Sequence, residues 1–205
     1  MHKAKHPHGI WSIWLIVACC SLSCLAESIR SDVGEISVAC PDGWARIPSR
    51  TGLFAAVFQN PKECQIGSLH FHDSFTISIR PAGGADLAKF KTQLEQIAKQ
   101  QAEVTNQKLR QLPKRAGVHY PDLQGVLTNS FKDIQVSGVP ALLAKSVTVL
   151  VADDQPVISI NNNILFVLND KLYTVAAGYL KLREAEVSKM SEDFLASIRL
   201  KSESQ

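Results

Sequence analysis

The chain has 205 residues and a formal net charge of +3. That length suits one compact domain with a real core and is short for two. So small a charge gives no general electrostatic reason to bind nucleic acid or acidic membranes.

Residues 1–26 read as an export signal. Lys3 and Lys5 make a basic start without acids, Ile10–Ala18 is an apolar run too short for a permanent span, and small residues follow. Two processing outcomes fit. Cleavage after Cys24-Leu25-Ala26 frees a chain that begins at Glu27. Alternatively, Ile16-Val17-Ala18-Cys19 resembles a bacterial lipobox, in which Cys19 becomes a lipidated N-terminus. The expectation is therefore an exported protein, periplasmic or secreted, or one held to a membrane only by a lipid on Cys19. Residues 27–33 are expected to be a short tether, 34–200 one domain, and 201–205 a tail. Losing the leader removes two lysines and no acids, so the net charge falls to +1.

Three of the five cysteines lie in the leader, leaving Cys40 and Cys64. An even pair in an oxidising compartment is a disulfide candidate. Closing that loop would stabilise the fold by roughly 3–4 kcal/mol on the chain-entropy model. The alternative is two separate buried thiols: if residues 35–40 and 53–58 form a simple hairpin, the two cysteines sit at opposite ends of it.

Residues 35–40 read as a short strand, followed by a Pro41-Asp42-Gly43 turn and Trp44, whose large ring is expected to anchor the core. Leu53–Gln59 is an apolar strand ended by Asn60-Pro61. From Leu69 the chain alternates: Leu69, Phe71, Phe75, Ile77 and Ile79 share one parity, and His70, His72, Ser74, Thr76, Ser78 and Arg80 the other. One face is therefore buried and one wet, with an irregularity at Asp73-Ser74. Asp86 caps a helix that carries Leu87, Phe90, Leu94, Ile97 and Ala98 on one stripe and fades near Val104. Residues 105–125 form a long surface excursion or hide a short element. Strands follow at Leu142–Val151, Val157–Leu168 and Lys171–Leu180. Asn161-Asn162-Asn163 interrupts the second without changing its parity, and Asn169-Asp170 makes a tight turn into the third. A last helix over about 183–197 carries Val187, Met190, Phe194 and Ile198 on one stripe. Turns this short forbid parallel pairing, so the fold class is α+β: a mainly antiparallel β-sheet with helices packed on it.

Several stretches, taken in order, resemble the PsbP-like family. They are "ISVACPDGW" (36–44), "AVFQNP" (56–61), "SGVPALLAKSVTV" (137–149), "NDKLYTVAAGY" (169–179) and the closing "EDFLASIRL" (192–200). The likeness spans residues 33–200 and rests on fold markers. It implies an α/β/α sandwich and a protein that is not an enzyme. Photosynthetic members are extrinsic subunits that help an assembly retain its ions, and a structural relative binds the Ran GTPase. No functional residue carries over, because no family site motif is matched.

Three polar clusters are candidates for chemistry. His70 and His72 point to one strand face beside Asp73, and imidazoles so spaced can take two positions on zinc or copper. A closed site needs more ligands, and only His119, scattered acids and two cysteines are available. The wet face of a period-two strand is the simpler account. "RPAGGAD" (80–86) places glycines before a helix N-terminus but lacks the Walker and dinucleotide spacings, and Asp86 would repel a phosphate. Lys108, Arg110, Lys114 and Arg115, with Tyr120 nearby, form a basic patch able to meet an anionic polymer or acidic protein. No G-x-S-x-G motif occurs, and no cofactor is expected. The sequence thus points to an exported, non-catalytic binding or assembly accessory factor of the cell envelope, its partner an unidentified protein or envelope component. The alternative is a metal-binding protein or metal-dependent enzyme built on His70 and His72.

Overall fold

Alternating apolar and polar residues become a seven-stranded antiparallel sheet in the computed structural model, which describes residues 30–49, 52–111, 129–152 and 155–201. The strands are β1 (Arg30–Val33), β2 (Ile36–Ala39), β3 (Ala45–Ile47), β4 (Ala56–Ile66), β5 (Leu69–Pro81), β6 (Asn129–Val136), β7 (Val139–Ala152), β8 (Gln155–Leu168), β9 (Lys171–Leu180) and β10 (Arg199–Leu200). The helices are α1 (Leu87–Gln111) and α2 (Glu184–Ala196), with a 3-10 turn at Lys181–Arg183 leading into α2. The large sheet runs β3-β4-β5-β9-β8-β7-β6, and β1, β2 and β10 form a second, three-stranded sheet.

Side-chain parity sorts the large sheet into two faces. Tyr173, Val175, Ala177, Phe166, Ile164 and Ile160 join Phe58, Phe75 and Ile77 in a core closed by Val187, Phe194 and Ile198 around α2 and by Val33, Ile36 and Val38 from the small sheet. The opposite parity supplies Leu142, Ala144, Leu165 and Leu172, which pack under Leu87, Phe90 and Leu94 of α1. Helices therefore cover both faces, and the fold is the α+β sandwich expected. Fully buried Phe58, Phe75, Phe166 and Phe194 each contribute roughly 1.5–3 kcal/mol of burial. Trp44 stacks on Phe75 at 4.3 Å, and Phe75 on Phe194 at 4.7 Å, so an aromatic column joins the opening turn to α2.

Local chemistry places the turns. Asn169 (φ 48°) and Asp170 (φ 56°) both adopt positive φ between β8 and β9, the two-residue geometry that matches strand twist. Gly43 (φ 75°) lets Trp44 N–H reach Pro41 O at 3.1 Å, and Trp44 anchors the core as expected. Asp86 Oδ1 accepts the Lys89 N–H at 2.8 Å, capping α1.

Five expectations change. Arg30–Val33, assigned to a tether, is strand β1 and pairs with β2. Asn60-Pro61 does not end its strand: β4 bulges between Gln59 and Glu63 and continues to Ile66, while Leu53 and Phe54 lie outside it and are exposed. The helix does not fade near Val104 but runs to Gln111, and β6 appears where the sequence showed no strand. Residues 35–40 and 53–58 are no hairpin, since β2 and β4 belong to different sheets.

Candidate functional site

The two cysteines expected to pair are free thiols. Cys40 follows β2, packs on the main core and donates its S–H to Trp44 O at 3.6 Å. Cys64 sits on β4 in a satellite cluster with Ile66, Phe71, Val157 and Leu180. Cys40 comes just after a strand of the small sheet and Cys64 lies on a strand of the large one, and the two pack in different apolar clusters. Burial, aided by Asp42, pushes the Cys40 thiol pKa up and makes it a poor nucleophile.

His70 and His72 do share one face of β5, as alternation requires. His70 Nδ1 lies 2.9 Å from Glu63 Oε1, and His72 Nδ1 lies 3.0 Å from the carbonyl oxygen of Asn60. His72 Nε2 is 3.8 Å from the same Glu63 oxygen. Among the described residues no three His, Cys, Asp or Glu side chains are arranged to hold a metal ion. Lys108 and Arg110 fall in the last turns of α1, where Arg110 is exposed. Lys114, Arg115, His119, Tyr120 and Cys19 lie outside the described residues.

The residue that broke the β5 pattern has a structural cause. Asp73 occupies the inward parity, is 1 % exposed, and meets Arg183 Nη2 at 3.2 Å and Asn60 Nδ2 at 3.4 Å. Burial outweighs the attraction of Arg183 and raises the carboxyl pKa above its ordinary value. Arg183 extends the network outward to Glu186, which Lys62 also holds at 3.0 Å. These four charges tie β4 and β5 to the entry of α2 and thereby fix the helix on the sheet.

Where α2 sits decides what is left open. Seven strands at about 4.8 Å spacing span about 29 Å, whereas one helix covers about 10 Å. The small sheet takes up more of that face, and the margin along β6, β7 and β8 remains bare. There a cavity of about 310 Å³ runs between α2 and the sheet, floored by Ile134, Leu143 and Ile164 and walled by Leu195 and Ile198. A second, of about 450 Å³, continues it over Val147, Ile158, Ile160 and Tyr179. Both are lined by Lys145, Asn162 and Glu192, so the two form one groove with an apolar floor and charged side chains of both signs at its waist. Asn162 is buried and donates to Ser191 Oγ of α2 at 3.3 Å. The sequence signal for this waist was the Asn161-Asn162-Asn163 interruption, whose middle member has the parity of the core.

No family model matches the sequence, and no curated protein matches it. Among solved structures, cyanobacterial PsbP (CyanoP) from Synechocystis superposes with a TM-score of 0.51 at 13 % identity, covering 90 % of this chain and 98 % of that one. The fold is PsbP-like. LpqN of Mycobacterium tuberculosis, described as involved in cell envelope biogenesis, aligns with a TM-score of 0.48 at 10 % identity over 82 % of this chain and 83 % of its own. A protein of unknown function from Pseudomonas aeruginosa aligns with a TM-score of 0.45 at 13 % identity, over 82 % and 94 % respectively. At such identities the PsbP-like likeness is one of architecture, and the groove has to be read from this chain's own residues. None of the helices among the described residues is long and apolar enough to cross a membrane.

Proposed function

We propose that the chain is an exported, non-catalytic PsbP-like domain, an accessory or assembly factor of the cell envelope, whose groove beside α2 receives part of a partner. The single observation that carries this reading is the groove itself: an apolar floor with Lys145, Asn162 and Glu192 at its waist. Apolar floors supply affinity and a few placed polar groups supply orientation, the usual division of labour in binding clefts. At the waist stand an amide bonded to a serine, an ammonium and a carboxylate, and Arg199, Lys181 and Glu184 add charge of both signs along the lining, a set suited to orienting a bound partner. The leader read in residues 1–26 supports the envelope location, and the sequence resemblance to extrinsic subunits supports an accessory role.

The test is site-directed photocrosslinking in cells. A photoreactive residue at Lys145 is expected to capture a discrete envelope partner, whereas one at Lys91 on α1 captures none. Equal labelling from both positions refutes the groove as the contact surface. Mass spectrometry of the mature N-terminus tests the export reading: Glu27 or a lipidated Cys19 is expected, and retained Met1 counts against it.

A further inference from the structure

We infer that the partner presents an extended strand that pairs antiparallel with the outer edge of β6, dropping alternate side chains into the groove. This rests on the groove reading and names the chemistry of its occupant. β6 ends the large sheet and, among the described residues, pairs only with β7, in unbroken register from Asn129↔Ser146 to Val136↔Val139. Its outward N–H and C=O groups thus form a regular ladder eight residues long, without proline or bulge. The opposite edge, β3, has three residues and Pro48 after it, which makes it a poor template. An extended peptide is the ligand such an edge recognises, main chain giving affinity and alternate side chains giving selection.

The two faces of β6 specify the selection. Lys132, Ile134 and Val136 lie opposite Leu143, Ala141 and Val139 and so face the groove side, where Lys145 stands opposite Ser130. Phe131 and Asp133 lie opposite Ala144 and Leu142 on the α1 side. A complementary strand carries apolar residues across from Val136 and Ile134, a base across from Asp133, and an acid across from Lys132 within reach of the Lys145 side. A second copy of the chain is a poor occupant. Antiparallel self-pairing keeps each face on its own side, so the two registers of greatest overlap set Lys132 against Lys132 or Asp133 against Asp133, and like charges directly opposite destabilise. The charges on this edge therefore discriminate against self-association while leaving a complementary partner free to bind.

The experiment follows residue-resolved amide exchange by NMR on the full chain with the peptide Val-Thr-Ile-Lys-Glu-Val-Thr-Thr. The alternate β6 amides not bonded to β7 are expected to exchange rapidly in the free chain and to slow as peptide is added. Lys132→Glu is expected to weaken binding about fivefold, and a peptide with its Lys and Glu exchanged to favour that variant instead, since exposed charge pairs have effects of this size. Outward β6 amides already protected in the free chain overturn the inference, because the edge is then occupied. Perturbation of Glu192 and Leu195 without β6 protection overturns strand pairing but leaves the groove reading standing. No change at β6 or α2 with peptide at millimolar concentration overturns both.

Discussion

Asp73 is the residue whose environment departs most from what its type prefers. A carboxylate that is 1 % exposed and held by Arg183 and Asn60 is stable only while its partners stay in place. Removing one member of a buried pair strands a charge, whereas replacing both with apolar groups does not. Arg183→Met alone is therefore expected to destabilise the domain by about 3–5 kcal/mol, and Asp73→Leu combined with Arg183→Met by much less, as read from urea midpoints. The pH dependence has a defined sign. Burial raises the Asp73 pKa from 3.8, so the folded chain binds that proton more tightly than the unfolded chain. Stability from this group is fully present below 3.8 and is lost as pH rises through the elevated folded value. Asp73→Asn cannot titrate there, so the stability difference should move in favour of wild type as pH falls across that window; a difference independent of pH refutes the assignment. Gly34 is constrained in another way. It adopts φ +61°, and an added Cβ would lie 2.8 Å from Ile79 Cδ1 and 2.9 Å from the Tyr173 hydroxyl oxygen that accepts the Glu35 N–H. Gly34→Ala is expected to cost about 1–3 kcal/mol by thermal unfolding, from left-handed strain and the displaced tyrosine together.

Elements with strong periodicity and explicit punctuation were legible in the sequence. β9 begins and ends at the residues the pattern marked, and β8 keeps its parity through three asparagines because each occupies one strand position. α1 starts where Asp86 said it should, and the cap has a measurable consequence. Asp86→Ala removes the acceptor for Lys89 N–H and is expected to cost about 1 kcal/mol in chemical denaturation, whereas Asp86→Ser keeps a capping oxygen and is expected to lose little. What could not be read locally has physical causes. β6 is an edge strand with Lys132, Asp133 and Gln135 among its residues, so its apolar positions are too sparse to show alternation. α1 outruns its own stripe: Leu87, Phe90 and Leu94 pack, but Ile97 and Val104 are about half exposed, so the apolar pattern thins well before the helix ends at Gln111. Asn60-Pro61 reads as a strand end but acts as a bulge, relieved because Asn60 Oδ1 accepts the Lys62 N–H at 3.0 Å. The buried ion pair left a trace, an acid at an apolar parity, whereas its partner Arg183 lies 110 positions along the chain and left none. Of the groove only the asparagine at its waist left a trace, since the lining is assembled from β6, β7, β8, β9 and α2.

At the scale of the whole molecule, the two ends of the described chain are held by one strand. β2 lies between β1 and β10, so the first and last strands of the described chain meet across it. Cross-ties reinforce the meeting: Arg30 Nη2 donates to Ser197 O at 2.8 Å, Lys201 N–H to Glu35 O at 2.9 Å, and Lys201 Nζ pairs with Asp32 at 3.1 Å. Glu35 in turn holds Lys171 and Asn169 at the β8–β9 turn, which links this small sheet to the large one. Burial, more than these exposed pairs, gives the arrangement its weight, because Val33, Ile36, Val38 and Ile198 are all but inaccessible to solvent. A chain ended after Ile198 is therefore expected to lose about 1–3 kcal/mol with an unchanged urea m-value, since the remaining structure still unfolds as one unit. Deleting residues 30–33 should cost a similar amount. The double truncation should cost less than the sum, because the first deletion already releases β2 and leaves the second strand little to hold. Strictly additive losses would mean that β1 and β10 stabilise the fold independently, and the closure of the chain's ends through β2 would then be incidental to its stability.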